Sequence, residues 1–325
     1  MTAYLIRRLL NAVPILIGVN LITFALFFVV NPPDAMARMQ LGQKYVTQEA
    51  IDKWKHERGY DLPLLYNPWG EGLERWTQTI FFQKSVNLFL FRFGRSDSGR
   101  DISADIRERM WPSLAIAVPT LVLGLMVNVT FALLLVFFRR TYLEFSGLAL
   151  CVGLMSISAL FYIIAGQFLF GKVMKLVPIS GYDSGLAAVK FVILPVAVGV
   201  VSGIGSGVRW YRTLFLEEIE KDYVRTARAK GLSEPRVLFG HVFRNTLIPI
   251  LTGVVAILPL LFMGSLLMES FFSIPGLGSY TIDAIQRQDF AIVRSMVFLG
   301  SVLYILGLIL TDFSYTLVDP RVRLQ

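Results

Sequence analysis

Six stretches of this chain are each apolar for about as long as a bilayer is thick, and that removes most folds from consideration. A spanning helix takes roughly 20 predominantly apolar residues. The qualifying runs are Leu9–Val30, Pro112–Phe138, Phe145–Phe170, Ala187–Val208, Thr246–Leu267 and Ile292–Leu310. The fourth is the weakest, because Lys190, Pro195 and several glycines interrupt it. Composition agrees: 55% of the 325 residues are hydrophobic, 17% are charged and the mean hydropathy is +0.61. A soluble domain is not that apolar. The expected fold is an all-α polytopic membrane protein with six transmembrane helices. The first run, with Arg7 and Arg8 ahead of it, has 22 uncharged residues, more than the roughly 7–15 of a signal-peptide core. It is expected to be a retained span.

The net charge of +8 lies mostly in short segments flanking the oily runs, which argues against nucleic acid as a partner. The single cysteine, Cys151, sits inside an apolar run and allows no internal disulfide. Orientation follows from Lys and Arg in short loops. With the N-terminus inside, the cytoplasmic segments collect Arg7, Arg8, Arg139, Arg140, eight cations in the 209–245 loop, Arg321 and Arg323. The short outer segments hold Lys172, Lys175, Lys190, Arg287 and Arg294. Both termini are therefore expected in the cytoplasm.

Three parts follow: residues 1–30 as an N-terminal span, 31–111 as an extracytoplasmic lobe, and 112–325 as a core of five spans with a cytoplasmic loop at 209–245. In the lobe, Thr47 and Gly59 are placed to cap and stop a helix. Trp69, Trp76, Phe81, Phe82, Phe89, Phe91 and Phe93 follow, enough aromatic mass to pack a lobe or lie on a membrane surface. Two readings stand: a stiffening element, or a docking surface for an outer partner.

The spans lack ionisable residues at their centres, where proton- or sodium-driven carriers keep them. Asp312, Lys190 and Arg294 lie toward span ends, leaving Gln167 and Asn128 as the main internal polar side chains. Enzyme signatures are missing too: there is no HExxH, no GxSxG and no cysteine pair, and His56 and His241 fall on opposite sides of the membrane. The phosphate loop GxxxxGK[ST] is absent, so this chain is expected to carry no ATP and no metal of its own.

The most basic segment interrupts this oily chain. Lys221, Arg225, Arg228, Lys230, Arg236 and Arg244 fall within "KDYVRTARAKGLSEPRVLFGHVFRN", residues 221–245. A helix is expected over Phe215–Lys230, with Glu217, Glu218 and Glu220 early and cations late, as the helix dipole prefers. Gly231 can end it in the left-handed conformation, and Ser233 with Glu234 and Pro235 can start another. Such a rigid bend could act as a lever on the fifth span; it could equally be a cationic anchor at the headgroups.

This segment resembles the cytoplasmic EAA loop of binding-protein-dependent ABC importer permeases, in the form of the dipeptide/oligopeptide branch. The family's Glu-Ala-Ala-x-x-x-Gly falls on Arg225, Thr226, Ala227 and Gly231, so the Glu is missing, while "RTARAKG" is similar to the peptide-branch form. Similar landmarks run along nearly the whole chain: "YLIRRLLNAVPILIGV" at Tyr4–Val19, "GYDLP" at Gly59–Pro63, "FGRS" at Phe93–Ser96, "FFSIPGLGSYTIDAIQRQDF" at Phe271–Phe290 and "DFSYTLVDPRVR" at Asp312–Arg323. The stretch Asn67–Leu90 departs from the pattern, being longer and more aromatic.

The resemblance implies the type I importer permease fold and a bacterial inner-membrane location. It also implies ATPase coupling through Asp222, Tyr223, Arg225, Thr226, Ala227, Lys230, Gly231 and Leu232. Its expected partners are a second homologous permease subunit, two ATP-binding subunits carrying ATP and Mg, an extracytoplasmic solute-binding protein and a di- or oligopeptide substrate. Nickel chelates and glutathione are the alternative substrates, and a stand-alone carrier or channel is the rival from another class. After the fifth span, Pro275, Gly276 and Gly278 allow a tight turn that could gate an outer mouth or be purely structural. Glu269 could hold that turn or meet a cationic amino terminus.

Overall fold

The computed structural model describes residues 2–42 and 46–318; Arg321, Arg323 and the end of the closing pattern lie outside them. Among the described residues the chain is helical, with no strand. It divides into two units, one of residues 2–109 with 280–306, the other of 110–279 with 307–318. Five helices are long and apolar enough to cross a membrane, and the crossings number six if one bent helix pair counts as a single broken span.

In the first unit, α1 (Thr2–Phe24) runs on as a π-helical turn over Ala25–Val30, followed by α2 (Pro33–Leu41) and α3 (Gln48–Arg58). The limits of α3 are those the sequence predicts. The Thr47 hydroxyl accepts the Ala50 N–H at 3.3 Å, and Gly59, at φ 64°, closes the last turn. Short helices α4 (Glu74–Thr77) and α5 (Ile80–Lys84) lead through a 3₁₀ turn at Val86–Leu90 toward α6 (Ile102–Phe137). The lobe's core is Ile51, Trp54, Tyr60 and Ile80 packed with Phe24, Phe28 and Met36. The later tryptophans do not build it: Trp69 is 84% exposed and Trp76 is 60% exposed. Arg294 is buried rather than at a wet edge, its guanidinium 4.9 Å from the Phe28 ring.

In the second unit, the third run is two helices, α7 (Tyr142–Met155) and α8 (Ala159–Gly166, continued as a π-helix over Gln167–Val173), which meet at 88°. Hydropathy is blind to this break because its cause is polar capping by small residues. The Ser158 hydroxyl accepts the Phe161 N–H and starts a new helix, while Ser156 bonds back to the Val152 carbonyl. The fourth run, weakest by composition, forms an unbroken 31-residue helix, α9 (Val189–Ile219). Its glycines permit close helix approach: a Cβ on Gly205 would come 2.5 Å from the Cys151 carbonyl oxygen, and one on Gly207 would come 2.5 Å from Asn128 Nδ2. Asn128 thus serves a helix contact. So does Gln167, whose amide donates to the Ile179 and Phe271 carbonyls.

The chain then forms α10 (Asp222–Ala229), α11 (Glu234–Val237), a π turn at Leu238–Val242 and α12 (Phe243–Ile257). A 3₁₀ turn at Leu258–Met263 precedes α13 (Leu266–Phe271), α14 (Leu277–Gln286) and α15 (Phe290–Val318).

Candidate functional site

The basic loop is built differently from the expectation of one helix over Phe215–Lys230. Phe215–Ile219 belongs to α9, the chain breaks at Glu220 and Lys221, and α10 starts at Asp222. Glu217 and Glu218 therefore sit at a helix end rather than a helix start. Burial explains why the dipole argument fails: Phe215 and Ile219 are core residues that extend the span, and their packing outweighs a few tenths of a kcal/mol of dipole energy. Glu218, legible in the sequence only as one of three acids at a helix start, is the joint. It is buried and accepts from Tyr223 Oη at 2.8 Å and from Lys221 Nζ at 2.6 Å. Burial, with the bond to Glu218, pushes the Tyr223 hydroxyl up to about 12.

The surface helix is pinned along one side and open along the other. Val224 and Ala227 insert into a cluster with Ala132, Val136, Phe215 and Val242, while Asp222, Arg225, Thr226 and Lys230 are exposed. Beyond it, Gly231 at φ 77° donates to the Arg228 carbonyl at 2.9 Å, and Leu232 N–H reaches the Ala227 carbonyl at 3.3 Å. That pair of bonds is a Schellman cap, and only the left-handed residue lets both form. Arg228 then clasps Glu234 with two bonds, at 2.7 and 3.2 Å, across the turn. Ser233 has N-cap backbone geometry but makes no side-chain capping bond. A cleft of about 160 Å³ lies under the clasp, lined by Arg139, Ile219 and Val237 among others.

The structure brings the second predicted group together around Glu269, which is 0% exposed. Its Oε1 accepts the Ser265 N–H at 3.1 Å and its Oε2 the Ser279 N–H at 3.0 Å. Ser113, whose hydroxyl accepts the Leu277 N–H at 2.8 Å, also hydrogen-bonds the carboxylate. The carboxylate thus spans a break at Gly264 (φ 68°) and the turn that follows α13. Gly276 and Gly278 are not there for left-handed backbone, which Ser273 adopts instead. They allow contact: a Cβ at Gly276 would lie 2.2 Å from Glu269 Oε2, and one at Gly278 would lie 2.7 Å from the Ser265 carbonyl carbon. Pro275 is exposed.

Beside this turn is a cleft of about 390 Å³ that includes no charged residue. Ile116, Leu121, Ile257, Leu261 and Met268 supply carbon surface, and Ser113, Thr120, Ser202 and Ser265 supply hydroxyls. The sequence did not single out this surface. Its residues come from α6, α9 and the stretch from the end of α12 into α13, and only the fold gathers them. Among the described residues no group of His, Cys, Asp and Glu could hold a metal ion.

The family profile of binding-protein-dependent transport system inner membrane components matches residues 4–324. The chain belongs to that family, and with its five or six apolar crossings it is a multi-pass permease subunit of an ABC transport system. Relatives extend over its full length. It is 31% identical to a putative peptide transport system permease protein of Brucella abortus, over 99% of both chains. It is 27% identical to the dipeptide transport system permease protein of Bacillus subtilis, over 100% of this chain and 99% of that one. Identity to the oligopeptide transport system permease protein of Bacillus subtilis is 29%, over 99% of this chain and 100% of that one.

Proposed function

We propose that this chain is one of two homologous membrane subunits of an ATP-driven importer of di- and oligopeptides, with the 222–232 loop seated against an ATP-binding subunit. The carrying observation is how stiffly that loop is tied to two spans. Glu218 fixes its start to α9, the Schellman cap at Gly231 fixes its end, and the Arg228–Glu234 clasp closes the bend into α12. A displacement of the exposed face of α10 would therefore move α9 and α12 rather than dissipate. Two ATPase subunits bind ATP and Mg and supply the energy; an extracytoplasmic solute-binding protein delivers the peptide. Both termini face the cytoplasm. The turn held by Glu269 keeps the outer end of the fifth span rigid while the spans move.

Peptide as substrate is supported by the names of the full-length relatives and by the character of the 390 Å³ cleft. A surface of aliphatic carbon and hydroxyls with no charge suits a cargo whose side chains vary. The test is extraction in mild detergent and mass spectrometry of the co-purifying chains, for wild type and Gly231→Pro. Proline cannot adopt φ 77° and removes the N–H that bonds Arg228. A second permease and two ATPases with the wild type, and loss of the ATPases from the variant, are expected. Recovery of the chain alone, under conditions that preserve a known importer complex, would sink the reading.

A further inference from the structure

The stretch between the first two spans packs back along the first span and α15. Four contacts fix its level against the first span and α15, all within the first unit, and a fifth marks the outer ends of those helices. Phe27 near the outer end of the first span meets Phe290 at the start of α15, with centroids 5.5 Å apart. Deeper, Phe24 meets Phe81 edge-on at 5.0 Å, and Asn20 Nδ2 donates to the Ser85 carbonyl at 2.9 Å. On the other side, Phe298 receives Phe89 at 5.3 Å and Phe91 at 6.4 Å. Asn20 is midway along the apolar span Leu10–Val30, and Phe298 lies eight residues into Phe290–Ser314. At a rise of 1.5 Å per residue these levels are about 15 and 12 Å below the outer ends of their helices. The half-thickness of the hydrocarbon core is about 15 Å.

We infer that Ser85–Phe91 is a re-entrant membrane segment whose Phe89, Leu90 and Phe91 face lipid acyl chains. The residues suit that depth. No charge occurs between Lys84 and Arg92, and the exposed side chains are Phe89 (36%), Leu90 (63%) and Phe91 (53%), while Ser85 is buried. They continue the apolar surface that the neighbouring spans present at Leu21, Ile22 and Val297.

Irregular backbone survives in hydrocarbon only if its polar groups are satisfied, and internal bonds close this turn at both ends. Leu88 N–H bonds to the Ser85 carbonyl, Phe91 N–H to the Leu88 carbonyl and Arg92 N–H to the Asn87 carbonyl. The amide of Asn87 closes onto the Gln83 carbonyl, and Asn20, a buried asparagine in mid-span, answers the Ser85 carbonyl. A wet loop would have no need of an asparagine placed there.

The test uses the complete transporter in lipid nanodiscs, with a nitroxide on Leu90→Cys in a Cys151→Ser background and Lys53→Cys as the aqueous control. Collision with oxygen and with a water-soluble nickel chelate is read by power saturation. High oxygen and low nickel accessibility at residue 90, with the reverse at residue 53, is expected. Nickel accessibility at residue 90 equal to that at residue 53 would overturn the proposal, because the segment would then be in water. Exclusion of both reagents would overturn it too, because a protein partner would then cover the face. If labelling at Leu90 disturbs folding, Phe89→Cys gives the same reading from the neighbouring exposed ring.

Discussion

Replacing Gly231 and Gly276 by alanine applies one methyl group to two different physical problems. At Gly231 the added Cβ meets nothing within 4 Å, but the backbone is left-handed at φ 77°. The cost is conformational alone, about 1–2 kcal/mol. At Gly276 the backbone is outside the left-handed region, but the Cβ would lie 2.2 Å from Glu269 Oε2 and 2.5 Å from Ser113 Oγ. Overpacking costs about 1–3 kcal/mol. Displacing a buried carboxylate from its donors adds about 1.5–3 kcal/mol per bond lost, so Gly276→Ala should cost about 3–6 kcal/mol. With about 2 °C per kcal/mol for a chain of this length, the melting temperature should fall about 2–4 °C for the first variant and at least about 6 °C for the second. The chain's only cysteine is an internal reporter, since Cys151 is buried. Its alkylation against temperature, read by mass spectrometry of that one peptide, follows this chain even within a complex. Equal shifts for the two variants would refute the contact argument. So would a double variant, Gly276→Ala with Glu269→Ala, in which the added methyl cost as much as it does beside the intact carboxylate.

Three further outcomes follow from the loop and the bent pair. Glu218→Ala should cost about 1 kcal/mol, because it removes the acceptor of the half-buried Tyr223 hydroxyl, while Glu217→Ala on the exposed side should stay within about 0.5 kcal/mol; the same alkylation assay separates them. Tyr223 has a folded pKa of about 12, above its ordinary 10.0, so its contribution is complete below pH 10 and is lost as pH rises toward 12. Wild type should therefore lose melting temperature across that window more steeply than Tyr223→Phe, and identical slopes would show that Tyr223 titrates freely. Ser158→Ala removes the N-cap of α8 and should cost about 1 kcal/mol, measured as a lower melting temperature, with no effect expected from Ser146→Ala on α7.

What the sequence made legible was set by period and length. Runs of apolar residues located every crossing, because a bilayer demands about 20 of them in a row. Thr47, Gly59 and Gly231 marked helix ends because a cap needs one residue type at one place. What stayed hidden was whatever depends on a second segment. Glu218 looked like one of three acids at a helix start, until Phe215 and Ile219 proved to be core and carried it into the end of α9. The glycines of α9 counted against a span by propensity, yet they are where α7 and α6 come close. Gly276 and Gly278 suggested only a tight turn; their reason is a carboxylate and a carbonyl pressed against their Cα atoms.

The two predicted groups of residues solve the same mechanical problem at opposite ends of the fifth span. Where the chain enters α12, the bend at Gly231 is held by exposed charges, Arg228 on Glu234, over a Schellman cap. Where it leaves, the bend at Gly264 is held by a fully buried carboxylate that takes backbone N–H groups from both flanks. An exposed ion pair contributes on the order of 0–1 kcal/mol and can be exchanged for a contact with another chain. A buried carboxylate with several donors cannot open without stranding a charge, which costs several kcal/mol. In the proposed importer, the loop end is the one a partner chain could re-contact, and the turn end the one that stays shut. A span tied to the loop at one end and sealed at the other would there transmit a push applied to the loop. If instead the sealed end opened during transport, Glu269→Gln would change the coupling of ATP hydrolysis to uptake more than Glu234→Gln does; the expected order is the reverse.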